Sequence, residues 1–322
     1  MINKINEDQC IVAIFMVTYN HEDYIAQAVE SIMAQKTNFK YKLFIGEDCS
    51  TDKTRGICEK LKEKYSNKIE LFLNNKNLGG YPNSIQIYNA CFTSGAKYTA
   101  LCDGDDYWTD PFKLQKQVDF LEANHEYGLV HTNHDTLKNK IIIKNVKNIK
   151  EVPQGDVNES LLIKNFISTL TVCVRNEDLQ TGLSKRHTKY LVGDLPLWME
   201  IARNSKIGYL NCSTAVYRHV ENSASHSTNY LKHFEFIKSA FQLKLDFIDE
   251  YDYKEKTIIS VYNRYIKILF KYSIILDDKK IIDELLSFCD NHKSLTSIIY
   301  KFIFLASKNK LIKQVLLKIL RK

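Results

Sequence analysis

Ile11–Val17 (IVAIFMV) is apolar at every position and is followed at once by the polar Thr18-Tyr19-Asn20-His21. No other stretch constrains the fold as strongly. A run without alternation is the pattern of a strand covered on both faces, as strands of a parallel sheet are. Ile25, Ala28, Val29, Ile32 and Met33 then fall at i, i+3, i+4, i+7 and i+8, the spacing of a helix with one buried face, with Asn20 as its expected cap. The alternation repeats. Leu43–Ile45 reads as a second strand, followed by a helix to about Lys64 that Ser50-Thr51-Asp52 can cap. Ile69–Leu73 reads as a third strand, ended by an Asn- and Gly-rich loop at 74–80. Pro82 starts a helix carrying Ile85, Tyr88 and Phe92. Tyr98–Cys102 is a fourth strand, the helix after Pro111 carries Leu114, Val118 and Leu121, and Gly128–His131 is a fifth strand. Four β-α units in succession predict an α/β fold: a mostly parallel sheet with helices on both faces.

Ligands of such sheets bind beyond the carboxyl ends of the strands. The polar clusters of this chain fall there: Thr18-Tyr19-Asn20, Glu47-Asp48 and the turn of Asp103, Gly104, Asp105 and Asp106. Gly104 relieves a Cβ clash in that turn. Three acids at one strand end repel one another unless something positive sits among them. A hard divalent cation would do so and would keep positions open for phosphate oxygens. Capping a helix needs only one of the acids, and Asp110-Pro111 already has the form of a cap.

Beyond residue 135 the pattern weakens. Residues 138–150 alternate Lys, Asn and Ile, as an edge ribbon or a mobile loop would. Phe166–Arg175 reads as a strand, Gly193–Ala202 as a short helix with Asp194 at its start, and Lys206–Leu210 and Ala215–Tyr217 as short strands before a polar loop from Arg218. From Asn229 onward the pattern is helical, with breaks at Asp277-Asp278 and Asp290-Asn291-His292. The expected organisation is one α/β domain over 1–228 and a helical region over 229–322.

The formal net charge is +7, and residues 301–322 alone carry seven Lys and Arg and no acid. The first 300 residues are therefore neutral. With no nucleic-acid motif in the body, nucleic acid is not an expected partner. In the tail, Ile312, Val315, Leu316, Ile319 and Leu320 share one helical face and lysines occupy the others. Such a basic amphipathic helix over 308–322 suits an anionic membrane surface, or simply packs on the protein with its lysines in water. The opening MINKINEDQC is too polar for a secretion signal, and no apolar run reaches the ~20 residues that span a bilayer. Eight cysteines are scattered without a CxxC pair, the usage of reduced thiols and not of a zinc site. The expected location is cytoplasmic, with contact at the inner face of the plasma membrane if the tail binds lipid.

Five stretches together resemble the family 2 glycosyltransferases of the GT-A, Rossmann-like fold: VTYN at 17–20, EDCSTDKT at 47–54, NLGG at 77–80, DGDDYWTDPFKLQKQV at 103–118 and GDLPLW at 193–198. The resemblance spans about residues 10–225. Glu47-Asp48 stands where Asp-Asp is commoner, and Gly193-Asp194 where many relatives have Glu-Asp. The QxxRW motif of processive synthases is missing, which implies single additions. The resemblance implies a hexosyltransferase-type enzyme using a UDP-sugar. Thr18 and Tyr19 would line the nucleotide pocket with Glu47, Asp48 and Asn77, and Asp48 would accept a bond from uracil. Asp103, in the DXD-type motif, would bind ribose or sugar, and Asp105 and Asp106 would hold Mn²⁺ or Mg²⁺ with the diphosphate. His219, after the last short strand, could touch that metal or the diphosphate, although an exposed loop histidine is more often no ligand. Asp194 would be the general base, although a residue at that position can equally be a helix cap. The acceptor would be a glycan or a lipid-linked saccharide, in bacterial surface polysaccharide synthesis. Two other readings stay open. One is a sugar- or nucleotide-binding scaffold on the same fold, which the full acidic set and Asp194 argue against. The other is a sugar nucleotidyltransferase, whose Gly-rich phosphate loop VTYNHEDY does not supply.

Overall fold

The structure, a computed structural model, describes residues 10–145, 151–184, 190–220, 229–292, 294–296, 301, 304–305 and 308–309. The chain divides into two compact units: Met1–Asn158, Phe166–Thr188 and Asp194–Val220 form the first, and Glu159–Asn165, Lys189–Gly193 and Glu221–Lys322 the second. The second unit thus takes two short segments ahead of its main stretch, which starts at Glu221. The C-terminal segment read as an amphipathic helix lies, from residue 310 on, outside the described residues. No helix among the described residues is long and apolar enough to cross a membrane.

In the first unit, β1 (Cys10–Thr18), β2 (Lys40–Glu47), β3 (Ile69–Leu73) and β4 (Tyr98–Leu101) pair in parallel in the order β3-β2-β1-β4. They alternate with α1 (Ile25–Met33), α2 (Thr54–Lys64) and α3 (Gly80–Thr93). Val12, Ala13, Ile14 and Met16 are fully buried on both faces of β1, which is what an unbroken apolar run requires. Helix α3 lies close on β2. A Cβ on Gly46 would come within 2.5 Å of Asn83 Oδ1, and Asn83 Nδ2 instead donates to the Gly46 carbonyl at 3.0 Å.

Past β4 the sheet becomes mixed. The strands β5 (Tyr107–Trp108), β6 (Tyr127–Lys138), β7 (Ile141–Ile143), β8 (Cys173–Arg175) and β9 (Lys206–Arg218) complete a nine-stranded order β3-β2-β1-β4-β8-β6-β9-β5, with β7 paired to β6. Strand β8 is antiparallel to both β4 and β6, while β6 and β9 pair in parallel, so the second half mixes the two directions. The helices of this half are α4 (Lys113–Ala123), α6 (Asn176–Ser184) and α7 (Leu195–Asn204), while α5 (Asn158–Ile163) belongs, from Glu159 on, to the second unit.

Three local readings are corrected. Phe166–Arg175 is not one strand: only Cys173–Arg175 pairs, and Thr169–Thr171 is a 3₁₀ turn. The carbonyls that a ladder would use go to side chains, Leu170 O to Trp108 Nε1 at 3.0 Å and Thr171 O to Gln117 Nε2 at 2.8 Å. Conversely, the two short strands expected between 206 and 217 are one 13-residue strand, β9, because register shifts against β6 absorb the polar Asn211–Ser213. Asn20 does not cap α1. Its backbone is left-handed (φ 54°) and its side chain accepts from the Thr51 N–H at 2.8 Å.

The second unit contains α8 (Tyr230–Glu250), α9 (Glu255–Leu276) and α10 (Lys279–Asn291). The Asn229 and Asp278 side chains cap α8 and α10, each accepting from two backbone N–H groups. Asp277, left-handed, ends α9. The Phe241 ring stacks on Tyr265 and meets Phe288 edge-on, which ties the three helices together.

Candidate active site

The acidic turn is built by chain geometry. After β4 ends, the Cys102 N–H still donates to Phe15 O at 3.1 Å and the Gly104 N–H to Val17 O at 3.0 Å. The turn is thus stitched to the carboxyl end of β1. Gly104 is required by proximity: a Cβ there would sit 2.7 Å from Thr18 Oγ1 and 3.0 Å from His21 Nδ1. Thr18 is buried, and its hydroxyl and His21 Nδ1 are 3.2 Å apart. The Asp106 N–H donates to Asp103 O and closes the turn. Strand β5 then pairs with β9 at Tyr107↔Val216 and Trp108↔Ala215. That pairing brings the Arg218 N–H to Asp106 Oδ1 at 2.8 Å. Trp108 is buried beneath the turn, and Trp198 is wholly in the core.

Asp194 occupies the N-cap position of α7, yet its side chain accepts no capping bond. Its Oδ2 accepts from Thr169 Oγ1 at 2.5 Å. Of the two readings open for this residue, the cap is therefore not the one its carboxylate follows.

The electrostatics tie these acids into one group. Burial, then the charges of Asp105 and Asp194, push the Asp103 carboxyl up to about 7, against a backbone hydrogen bond at Val17. Burial and Asp105 raise Asp106 well above the usual carboxylate range, opposed by the Arg218 N–H and guanidinium. His21 is pushed down by burial, and the negative charges of Asp105 and Asp52 oppose that. His21, Asp103, Asp105, Asp106 and Asp194 are thus linked electrostatically.

The Glu47-Asp48 pair is arranged differently. Both Glu47 oxygens are engaged, one by the Ser50 N–H and the other by Arg55 Nε, each at 2.6 Å. Asp48 accepts from Asn74 Nδ2, the Leu78 N–H and the Gly79 N–H at 2.8–2.9 Å. It holds the Asn-Gly loop against the strand ends. Asn77 Oδ1 accepts from the Gly79 N–H at 3.0 Å, and Tyr19 is 40% exposed.

Thr169 and Arg218 were not among the residues read from the sequence. Thr169 lay hidden in an apparent strand. Arg218 stood one residue past an apparent strand end, beside the histidine that drew attention. Its guanidinium lies 5.1 Å from the Tyr24 ring centre and 4.7 Å from that of Tyr107. It bonds Gln27, and its buried Nε has no hydrogen-bond partner among the described residues.

The carboxyls of Asp103 and Asp106, pushed up first by burial and then by the charge of Asp105, fit a hard divalent cation. Among the described residues, no group of three or more His, Cys, Asp and Glu side chains is arranged to hold one unaided. The expected grouping of Asp105, Asp106 and His219 is thus not preformed. The His219 N–H donates to Leu137 O at 2.9 Å.

Residues 13–173, half the chain, match the family model described as glycosyl transferase family 2. The chain belongs to that family. An uncharacterized protein of Mycobacterium tuberculosis is 30% identical over 220 residues, which are 67% of this chain and 60% of that one. The chain thus spans about three fifths of that relative's length. The putative teichuronic acid biosynthesis glycosyltransferase TuaG of Bacillus subtilis is 28% identical over 67% of this chain and 81% of its own. The UDP-Glc:alpha-D-GlcNAc-diphosphoundecaprenol beta-1,3-glucosyltransferase WfgD of Escherichia coli is 26% identical over 75% and 88%. Among solved structures, S. aureus TarS 1-349 in complex with UDP-GlcNAc superposes with a TM-score of 0.63 at 18% identity, over 84% of this chain and 76% of that one. The mannosyltransferase PcManGT of Pyrobaculum calidifontis, in complex with GDP-Man and Mn²⁺, gives 0.59 at 13% over 95% and 86%. The fold is that of the GT-A glycosyltransferases.

Proposed function

We propose that this chain is an inverting glycosyltransferase. It moves a sugar from a nucleotide sugar, a UDP-sugar by preference, to a hydroxyl of a glycan or lipid-linked acceptor in bacterial surface polysaccharide synthesis. One observation carries the reading: the Asp194 carboxylate makes no helix cap and is held instead by Thr169 Oγ1 at 2.5 Å, while its charge is felt by Asp103 of the acidic turn. A base beside a donor site is what a single displacement needs. The names of TuaG and WfgD support the pathway, and that of WfgD the UDP donor and a lipid-linked acceptor.

In this reading Asp194 takes the proton of the acceptor hydroxyl. The freed oxygen bonds to the anomeric carbon from the face opposite the diphosphate, the carbon–phosphate-oxygen bond breaks, and the nucleoside diphosphate leaves with that electron pair. One displacement inverts the configuration, by the face-to-face logic of inverting glycosidases. Thr169 orients the Asp194 carboxylate. Thr18, Asp48 and Tyr19 line the nucleotide side. Asp105 and Asp106 would hold Mn²⁺ or Mg²⁺, which would neutralise charge on the departing diphosphate, as the Mn²⁺ in the PcManGT complex suggests.

The test is thermal unfolding with UDP and other nucleoside diphosphates, with and without Mn²⁺, on wild type and Asp105→Ala. A ligand at about 100 times its Kd adds about 2.7 kcal/mol. Stabilisation by UDP that needs both the metal and Asp105 supports the donor site. No shift with any nucleotide favours the scaffold reading. Asp194→Asn should keep the UDP shift and lose turnover.

A further inference from the structure

In the hairpin of β6 and β7 every residue from Lys138 to Lys144 is exposed. Lys138 and Ile141 are paired across the turn, so Asn139 and Lys140 form a two-residue loop. Both are left-handed, at φ 50° and 65°, as a type I′ turn demands. Ile141, Ile142 and Ile143 follow, 66%, 48% and 48% exposed. A strand lying on a core buries every second side chain. This one buries none, so both faces of the ribbon meet solvent.

The isoleucines are framed by charge of one sign. Lys138, Lys140 and Lys144 are all exposed. Lys144 reaches back to Asp135 at 2.6 Å while remaining 73% exposed. Lysines on an edge strand are a common guard against strand pairing, which accounts for the charges but not for three successive exposed isoleucines. An apolar tip within a basic collar has the chemistry of an element that sinks into the headgroup region of an anionic bilayer.

We propose that the 138–144 hairpin docks this protein on an anionic lipid surface. The placement gives the contact a use. Leu137 pairs with Arg218 of β9 on one side and with Ile142 of β7 on the other, and the Arg218 N–H is bonded to Asp106. At about 4.8 Å per strand, Ile142 lies roughly 10 Å from Arg218. Docking of the tip therefore holds the acidic turn close to the lipid surface, where a lipid-linked acceptor presents its sugar. That use rests on the function proposed above; the lipid contact itself does not.

The test places a tryptophan in the tip of the full chain, as Ile142→Trp. The native Trp108 and Trp198 are both buried, so a change in emission reports on residue 142. Vesicles of mixed phosphatidylglycerol and phosphatidylcholine should shift the emission to the blue, and phosphatidylcholine alone should not. Lys138→Glu with Lys140→Glu in that background should abolish the shift. Sedimentation with anionic vesicles without any emission change would assign binding to another segment and overturn the proposal. An equal shift on neutral vesicles would overturn it as well. So would a blue shift without lipid that grows with protein concentration, because the tip would then be covered by a second copy. UDP-dependent stabilisation is measured without lipid, so failure of the donor site and failure of the hairpin are read separately.

Discussion

Thr169 Oγ1 donates to Asp194 Oδ2 at 2.5 Å, across 25 residues of sequence. The hydroxyl is itself held in place, since its 3₁₀ turn is gripped by Trp108 through Leu170 O and by Gln117 through Thr171 O. One carboxylate oxygen is thus engaged, and on the proposed function the other takes the proton of the acceptor hydroxyl. On the proposed function, Thr169 is a positioning residue. Thr169→Val should lower kcat about tenfold, equivalent to ~1.4 kcal/mol of transition-state stabilisation, with little change in donor KM. Thr169→Ser should restore most of the loss. Steady-state kinetics on both variants checks this. A rise in donor KM with unchanged kcat would assign Thr169 to the donor pocket instead.

Arg218 bridges the acidic turn and the aromatic pair Tyr24 and Tyr107. Its main chain bonds Asp106, and its guanidinium lies near both rings with Nε unpartnered. On the proposed function Arg218 stands beside the diphosphate, where a delocalised cation can take phosphate oxygens in a fork that lysine cannot reproduce. Arg218→Lys should weaken UDP binding about tenfold, ~1.4 kcal/mol, and leave the fold intact. Calorimetric titration of UDP into both proteins measures it. Equal affinities would confine Arg218 to a structural role.

How much of this was legible in the sequence varies with the range of the interactions involved. The first four strands and their helices are written in local apolar periodicity, and each strand end delivers its polar cluster where parallel topology puts ligands. The acidic turn was visible for the same reason. Thr169 was not, because the carbonyls of Leu170 and Thr171 are claimed by side chains 62 and 54 residues away. No local pattern distinguishes such a segment from a β-strand. Likewise β9 looked like two pieces, because register shifts against a distant strand carry it through Asn211–Ser213. The Glu47-Asp48 pair was legible as a polar cluster at a strand end, but that Glu47 is occupied by Ser50 and Arg55 follows from a fold-back of the chain that spacing does not encode.

Gly104 offers a sharper test of the site's construction. Its place in the turn is set by what it touches, with Thr18 Oγ1 and Cβ at 2.7 and 2.8 Å from the position of an added Cβ. Thr18 is buried and the turn is tied to β1 by two backbone bonds, so neither side yields freely. Gly104→Ala should cost about 1–3 kcal/mol of stability, the usual range for overpacking. It should also reduce the UDP-induced thermal shift, because the carboxylates on either side are displaced. Urea unfolding and the nucleotide shift assay read the two effects. A variant as stable as wild type would mean that the turn relaxes away from Thr18.

Lys113 gives the chain a pH signature of its own. It is fully buried at the start of α4, with Nζ donating to Gln117 Oε1 at 2.5 Å and lying 4.4 Å from the Trp108 ring centre. Burial drives its ammonium down to about 8. In the unfolded chain a lysine titrates near 10.4. Between those values the native state has lost a proton that the unfolded state keeps, so stability rises with pH across that window. Below about pH 8 the fold carries the cost of a buried charge. Lys113→Met removes the titration while keeping an apolar stem against Trp108. The stability of wild type relative to this variant should therefore increase by on the order of 3 kcal/mol between about pH 7 and about pH 10. Urea unfolding of both proteins at the two pH values measures the difference, in which titrations common to both cancel. A difference that stays flat would show that Lys113 keeps its proton in the folded state. Gln117 and the Trp108 ring would then be stabilising the charged ammonium against the cost of its burial.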